Sequence, residues 1–470
     1  MRKLLLILLL SGPLVVFRTT AAEDVFQTDR ARWLQTADSL KPDLLIHRYA
    51  PVDIVEAVRN DAFYQGIGYA PTSMTMQTLY QSDFKTVRSV TLDFGRHLTG
   101  HLRFHVKTLR RCQDAPVRLK FFFGELPAEM NTPLEPWPGT LSRAWMQDVT
   151  MDLFTMDTTY TIERRTACRY VRIELLGASN DFDFAIDHIS FLAESAVDES
   201  TVKEPAMTHA GMKRIYRTGI RTLAECMQTV YEDGPKRDAR LWLGDVYLES
   251  LANTYSFGRH DLTKRCLYLF AGLSEPDGHV LSNIFERPVP HAQTASRCIS
   301  YSLLFNAALL EYAKATGDSA TARDLYPVAL HQMQWAMSYV DKNGLFSLGN
   351  NPEGIWVFFD WKDGIDQSTA LQAAVIIALR HTLELGALTG DHTHDKFFAR
   401  SIRQMSAASR KYLYDKKQQA FVSGQNNQLS VLSQVWMVLA GVVQGDEAAR
   451  LLERSLADSS MVTLGTPYAT

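Results

Sequence analysis

Cysteine is scarce in this chain, and its spacing is uninformative. Five cysteines among 470 residues (Cys112, Cys168, Cys226, Cys266, Cys298) cannot all pair with one another, and none forms a C-x-x-C step. A structural zinc site and a redox pair are therefore not indicated, and buried free thiols are expected. A basic block is also missing. Lys and Arg number 49 against 52 Asp and Glu, a formal net charge of −3, which gives a nucleic-acid partner no electrostatic footing. Beyond the N-terminus no segment reads as long and apolar enough to span a bilayer. No fixed-period repeat supports a solenoid. With 46% hydrophobic residues, the chain has too much apolar content for disorder.

The exception to the missing apolar runs is the start. Arg2 and Lys3 precede an apolar run from Leu4 to Phe17, and Thr20-Ala21-Ala22 offers small residues before Glu23. That layout predicts a cleaved signal peptide over residues 1–22. Pro13 and Arg18 interrupt or bound the run, which argues against a retained anchor. The expected location is secreted or periplasmic, with no membrane association after cleavage.

The local pattern changes near residue 200. Before it, alternating runs such as Ser89–Phe94, Leu102–Val106, Val117–Phe123, Tyr170–Leu175 and Phe182–Ile186 recur between turn signals. Period-two alternation places one strand face on a core, and several such strands predict an antiparallel β-sandwich over residues 23–200. From about 205 the period becomes helical: Met212–Val230, Leu241–Phe257, Leu262–Leu273, Ala292–Thr316, Ser319–Val340, Gln367–Leu388, Asp391–Leu413 and Leu429–Val443, with a last segment near Asp446. About nine helices joined by short turns favour antiparallel neighbours and an (α/α)6-type toroid over residues 201–470. The fold class is therefore multidomain β + α.

One stretch concentrates charge: Glu232-Asp233-Gly234-Pro235-Lys236-Arg237-Asp238-Ala239-Arg240-Leu241-Trp242-Leu243-Gly244-Asp245. With a helix starting after Pro235, Asp238, Trp242 and Asp245 fall at i, i+4 and i+7 on one face, and Asp233 folds back over the same end. Carboxylates accept hydrogen bonds from ring hydroxyls, and an aromatic face packs on the apolar side of a sugar. A carboxyl raised by like-charged neighbours keeps a proton for a leaving oxygen. The same residues also fit a capped helix start with surface ion pairs.

The pattern Asp-x-Pro-x-Arg-Asp-x-x-x-Trp-x-Gly-Asp, read across Asp233–Asp245, resembles the signature of the inverting α-L-rhamnosidases, glycoside hydrolase family 78. Thr91–Arg96, Gly100–Arg103, Phe123-Gly124-Glu125, Arg169–Ile173 and Phe359-Asp360-Trp361 are similar to further family passages. The resemblance implies a sandwich before a six-hairpin toroid and hydrolysis of a terminal sugar. It places Asp238 at the general acid, where the shorter family spacing has Glu. Asp233, Arg237, Trp242 and Asp245 then hold the sugar. No metal or cofactor is implied, and the partner is an oligosaccharide or glycoside. The family's base is a Glu late in the toroid. A six-hairpin ring needs about twelve helices, so the sequence is expected to be C-terminally truncated, lacking about three helices and the base.

Asp360 and Trp361 lie on a loop at the expected rim as ligand contacts. Glu286 either reaches a sugar or forms a solvated pair with Arg287. Asp363 and Asp366 cap the next helix, Trp335 and Trp436 are core, and His392 and His394 are solvated. Two alternatives stand beside the hydrolase: a non-catalytic carbohydrate-binding relative, and another toroid enzyme such as an unsaturated uronyl hydrolase or a polysaccharide lyase.

Overall fold

The computed structural model describes residues 24–349, 351 and 354–465. The expected signal segment lies outside them. Nine strands form the N-terminal sheet system: β1 (Leu45–Tyr49), β2 (Asp53–Arg59), β3 (Ile67–Pro71), β4 (Ser89–Arg110), β5 (Val117–Gly124), β6 (Gln147–Leu153), β7 (Thr158–Thr161), β8 (Thr166–Gly177) and β9 (Asp183–Ser195). Every pairing is antiparallel. The long strand β4 joins the two layers. Its first part pairs with β2 and β8, and its second with β9 and β7. The register shifts between Asp93 and Leu98, where Gly95 takes a left-handed φ of +73°. At Gly100 the approach to β9 is so close that a Cβ would lie 1.9 Å from the Leu192 carbonyl oxygen. Between the layers, Leu92, Leu102, Phe104, Leu119, Phe121, Ile173 and Phe184 are fully buried. This is the alternation the sequence carries.

From residue 210 onward the described residues form nine α-helices, from Ala210–Cys226 to Gly445–Ala457. Helices 243–254, 299–316, 368–389 and 431–439 contact one another in succession as the inner ring. The others cover them from outside. Composition sorts the two sets. The Ser368–Thr389 helix is apolar nearly all round, whereas Asp395–Ala408 and Gly445–Ala457 each carry one apolar stripe. Ser368–Thr389 is also long and apolar enough to cross a membrane, contrary to the sequence expectation. Here it is an inner helix of the ring, with Ala370, Val375 and Leu379 fully buried.

Several boundaries differ from the sequence reading. Gln27–Ser39 is a helix, and it packs on the outer helix His260–Gly272, not on the sandwich. Arg30 ties it there by donating to the carbonyls of Ser274 (2.5 Å) and Glu275 (2.6 Å). The segment expected to be helical from Ala292 enters its helix only at Ile299, because Ala292 pairs with Ile284 in a small sheet. The helix expected from Leu241 starts at Leu243. All five thiols are free, four of them buried and Cys112 exposed. His392 is exposed and pairs with Asp395. Trp436 packs on Phe359 with ring centroids 4.6 Å apart, and Trp335 packs on His279 at 4.2 Å.

Candidate active site

The acidic stretch begins where the Ala210–Cys226 helix ends. Tyr231 is buried, and its hydroxyl meets Thr263 Oγ1 at 2.8 Å. Glu232 is buried against Arg165, Nη2 to Oε2 2.5 Å. The next residues close on themselves. The Asp233 N–H donates to the Arg240 carbonyl at 3.1 Å, and the Arg240 N–H donates back to Asp233 Oδ1 at 3.1 Å. Within that loop Asp238 and Ala239 take left-handed φ values of 61° and 48°. Asp tolerates this conformation well and Ala poorly, so the turn stores some strain.

This corrects the helical placement. Asp238, Trp242 and Asp245 do not share a helix face, because residues 234–240 form a tight turn and Leu241-Trp242 a strand paired with Asn283-Ile284. Trp242 is the residue before the helix Leu243–Thr254, and only Asp245 sits in that helix's first turn. There its negative charge suits the positive end of the helix dipole. Gly244 follows from packing. A Cβ there would lie 2.5 Å from Tyr301 Cζ, so the glycine lets the Tyr301 ring lie on the helix start.

The turn nevertheless gathers the carboxyls. Burial raises the Asp233 pKa to about 8; the Arg240 N–H opposes the shift, and the charges of Asp245 and Asp238 reinforce it. Asp233 therefore holds a proton at neutral pH. One helical turn beyond Asp245, burial also pushes the Glu249 carboxyl well up, with Asp245 and Asp233 adding to the effect. Its Oε2 is buried without a hydrogen-bond partner among the described residues. Arg237 is exposed beside the trio.

Trp242 opens an aromatic wall that the sequence reading missed. Its ring stands edge-on to Tyr301 (6.2 Å) and Trp356 (6.3 Å). Phe358 continues the wall from Tyr301 at 6.0 Å, and Trp361 ends it, 4.8 Å from Phe358 and 70% exposed. The available signal was the aromatic density of Trp356-Val357-Phe358-Phe359-Asp360-Trp361, of which the sequence reading used only Phe359-Asp360-Trp361. Trp242 Nε1 is buried without a partner among the described residues, which leaves a donor in the wall.

Two expected contacts are used differently. Asp360 is only 4% exposed, and its Oδ1 accepts from the amides of Lys362 (2.7 Å) and Gly465 (2.8 Å). It braces the loop that presents Trp361. Glu286 does pair with Arg287, but not as a solvated carboxylate. It is largely buried, with Lys41 at 3.0 Å, Arg265 at 3.3 Å and Arg287 at 3.9 Å. Asp366 does cap the following helix, accepting from the Ser368 amide at 3.0 Å.

A helical ring behind a β-sandwich, with clustered acids and an aromatic wall at one end, defines a six-hairpin glycosidase. Residues 51–193 match the N-terminal domain of glycosyl hydrolase family 78 alpha-rhamnosidases, and residues 207–466 match the bacterial alpha-L-rhamnosidase six-hairpin glycosidase domain. The chain belongs to glycoside hydrolase family 78 and is a glycoside hydrolase. A rhamnosidase from Klebsiella oxytoca with rhamnose bound is 32% identical, with a TM-score of 0.88 over 93% of this chain and 84% of that one. The family 78 rhamnosidase of Bacillus sp. GL1 shares the fold at 20% identity, with a TM-score of 0.67 over 81% of this chain and 38% of that one. The alpha-L-rhamnosidase from Dictyoglumus thermophilum shares it at 13% identity, with a TM-score of 0.63 over 89% and 42%. Among curated protein sequences nothing matches.

Proposed function

We propose that this hydrolase removes a terminal α-L-rhamnosyl residue with inversion. The observation that carries the reading is the carboxyl cluster of Asp233, Asp238 and Asp245, in which buried Asp233 holds a proton, set against the Trp242 wall. The rhamnose bound in the Klebsiella oxytoca relative supports the sugar. In this reading Asp238, on the half-exposed outer side of the turn, protonates the leaving oxygen. Asp233, Arg237 and Asp245 hold ring hydroxyls, and Trp242 and Trp361 pack on the ring. A carboxylate across the sugar activates the water in an inverting reaction.

The raised proton affinity of Asp233 favours a second reading, in which Asp233 itself is the acid. Leaving groups separate the two. Asp238→Asn should lower kcat by roughly 10²–10⁴-fold on alkyl rhamnosides and far less on a dinitrophenyl rhamnoside, whose departure needs no proton. If Asp233→Asn shows that leaving-group dependence and Asp238→Asn does not, the roles exchange. Following the first-formed anomer by NMR tests inversion, and retention would refute it. Export is proposed from the N-terminal pattern alone, and fractionation of the native host tests it.

A further inference from the structure

Beside the acidic turn, between the sandwich and the helical ring, lies a cleft of about 380 Å³ whose lining includes Pro235, Lys236 and Ala239 of that turn. This is within the range of small-molecule sites. Its lining carries four cations (Arg164, Arg165, Lys236, Arg287) and two carboxylates (Glu232, Glu286). Both carboxylates are already neutralised, Glu232 by Arg165 and Glu286 by Lys41 and Arg265. Lys236 is held by Glu129 and Glu125.

The cations left over are weakly matched: Arg287 shares Glu286, at 3.9 Å, with the closer Lys41 and Arg265. Among the described residues Arg164 donates only to the carbonyls of Ala144 (2.7 Å) and Asp148 (3.2 Å). Among the described residues no carboxylate lies in ion-pair range of it. Arg287 is mostly exposed and 3.9 Å from Glu286. Behind them Arg240 lies over the Phe285 ring at 4.2 Å and 6.0 Å from the Trp145 ring. Among the described residues its buried Nε has no hydrogen-bond partner, and no carboxylate pairs with it. Carbonyl contacts and ring faces orient a guanidinium without cancelling its charge.

We infer that this cleft binds an anionic sugar unit of the substrate, a ring bearing a carboxylate or a sulfate. Guanidinium groups donate paired, charge-assisted hydrogen bonds to either anion, and Trp145, in the lining, is the aromatic ring available to a sugar, because Phe285 is covered by Arg240 and by the stacked His291 ring. A neutral sugar would leave the positive field uncompensated. The inference rests on the glycosidase reading of the adjoining acids and names the class of sugar next to the cleaved one.

Titrating the full chain at low salt with D-glucuronate, D-glucose 6-sulfate, D-glucose and L-rhamnose tests it. At least one anionic sugar should bind roughly tenfold or more tighter than glucose, and the preferred one identifies the anion. Arg164→Gln and Arg287→Gln, both at exposed side chains, should each remove several-fold of that preference while leaving L-rhamnose binding unchanged. Arg240→Gln should do the same to the anionic sugar. Equal binding of glucose, equally strong binding of inorganic sulfate, or an undiminished preference in the Arg164 and Arg287 variants would overturn the inference. Failure of L-rhamnose to bind, with the anionic preference intact, would instead sink the rhamnosidase reading and leave this one standing.

Discussion

Lys236, in the middle of the acid-bearing turn, reaches out of the helical domain and donates from Nζ to Glu129 of the sandwich, with Glu125 at 3.5 Å. One ion pair thus ties the strained loop carrying Asp238 to a different domain. The sandwich is part of the mechanism's scaffold in this respect.

Cutting that tie should show in turnover before it shows in stability. Lys236→Met is expected to lower kcat on a rhamnoside by about tenfold with a smaller change in KM, because a loosely held acid misses its geometry. Lys236→Arg should recover much of the loss. Steady-state kinetics of the two variants check this, and equal defects in both would point to a role in folding instead.

Asp233 carries a stability cost that depends on pH. Its folded pKa of about 8 lies above the unfolded value of 3.8. The folded state therefore binds the proton more tightly, an advantage fully present below 3.8 and lost as pH rises through 8. Asp233→Asn should accordingly gain stability over the parent as pH rises, by several kcal/mol at pH 8 and little at pH 4. Thermal unfolding across that range measures the gap. A constant gap would mean that the carboxyl is not protonated in the fold.

His97 behaves in the opposite sense to an ordinary surface histidine. It lies between Glu125 of the sandwich, at 2.8 Å from Nε2, and Glu225 of the first ring helix. Burial opposes its charge, yet the hydrogen bonds its ring donates to the two carboxylates raise its pKa to about 9. Its contribution is complete below 6.5 and lost as pH rises through 9. His97→Gln should cost about 1 kcal/mol at pH 6, screening at half-exposed Glu125 limiting the loss, and almost nothing at pH 10. Denaturant titrations at the two pH values decide it.

Gly244 tests the packing account of the site. With a Cβ meeting Tyr301 at 2.5 Å, Gly244→Ala should destabilise by about 1–3 kcal/mol. It should also lower sugar affinity, because Tyr301 supports Trp242. The double variant Gly244→Ala, Tyr301→Leu should recover part of the stability and none of the affinity.

Much of this was readable along the chain. The change from period two to period 3.6 near residue 200 separates strands from helices, because each face of a strand or helix meets its core at a fixed interval. The nine helices beyond residue 210 came from that rule. The acidic stretch stood out by composition and by its family resemblance. Its shape did not, since Pro235 predicts a helix start as readily as a tight turn. The left-handed Asp238 and Ala239 are imposed by the closed hydrogen bonds of Asp233 and Arg240.

By itself, the sequence determined the two architectures, their order and the carboxyls at the start of the ring, because periodicity and spacing are local properties of a chain. Only the tertiary structure decided that Tyr301, Trp356 and Phe358 complete the Trp242 wall, that Asp360 and Glu286 are committed to amides and cations, and that Lys236 ties the acid turn to the sandwich. Those relationships join residues dozens of positions apart. Their energies arise from burial and approach in space, which no interval along the chain encodes.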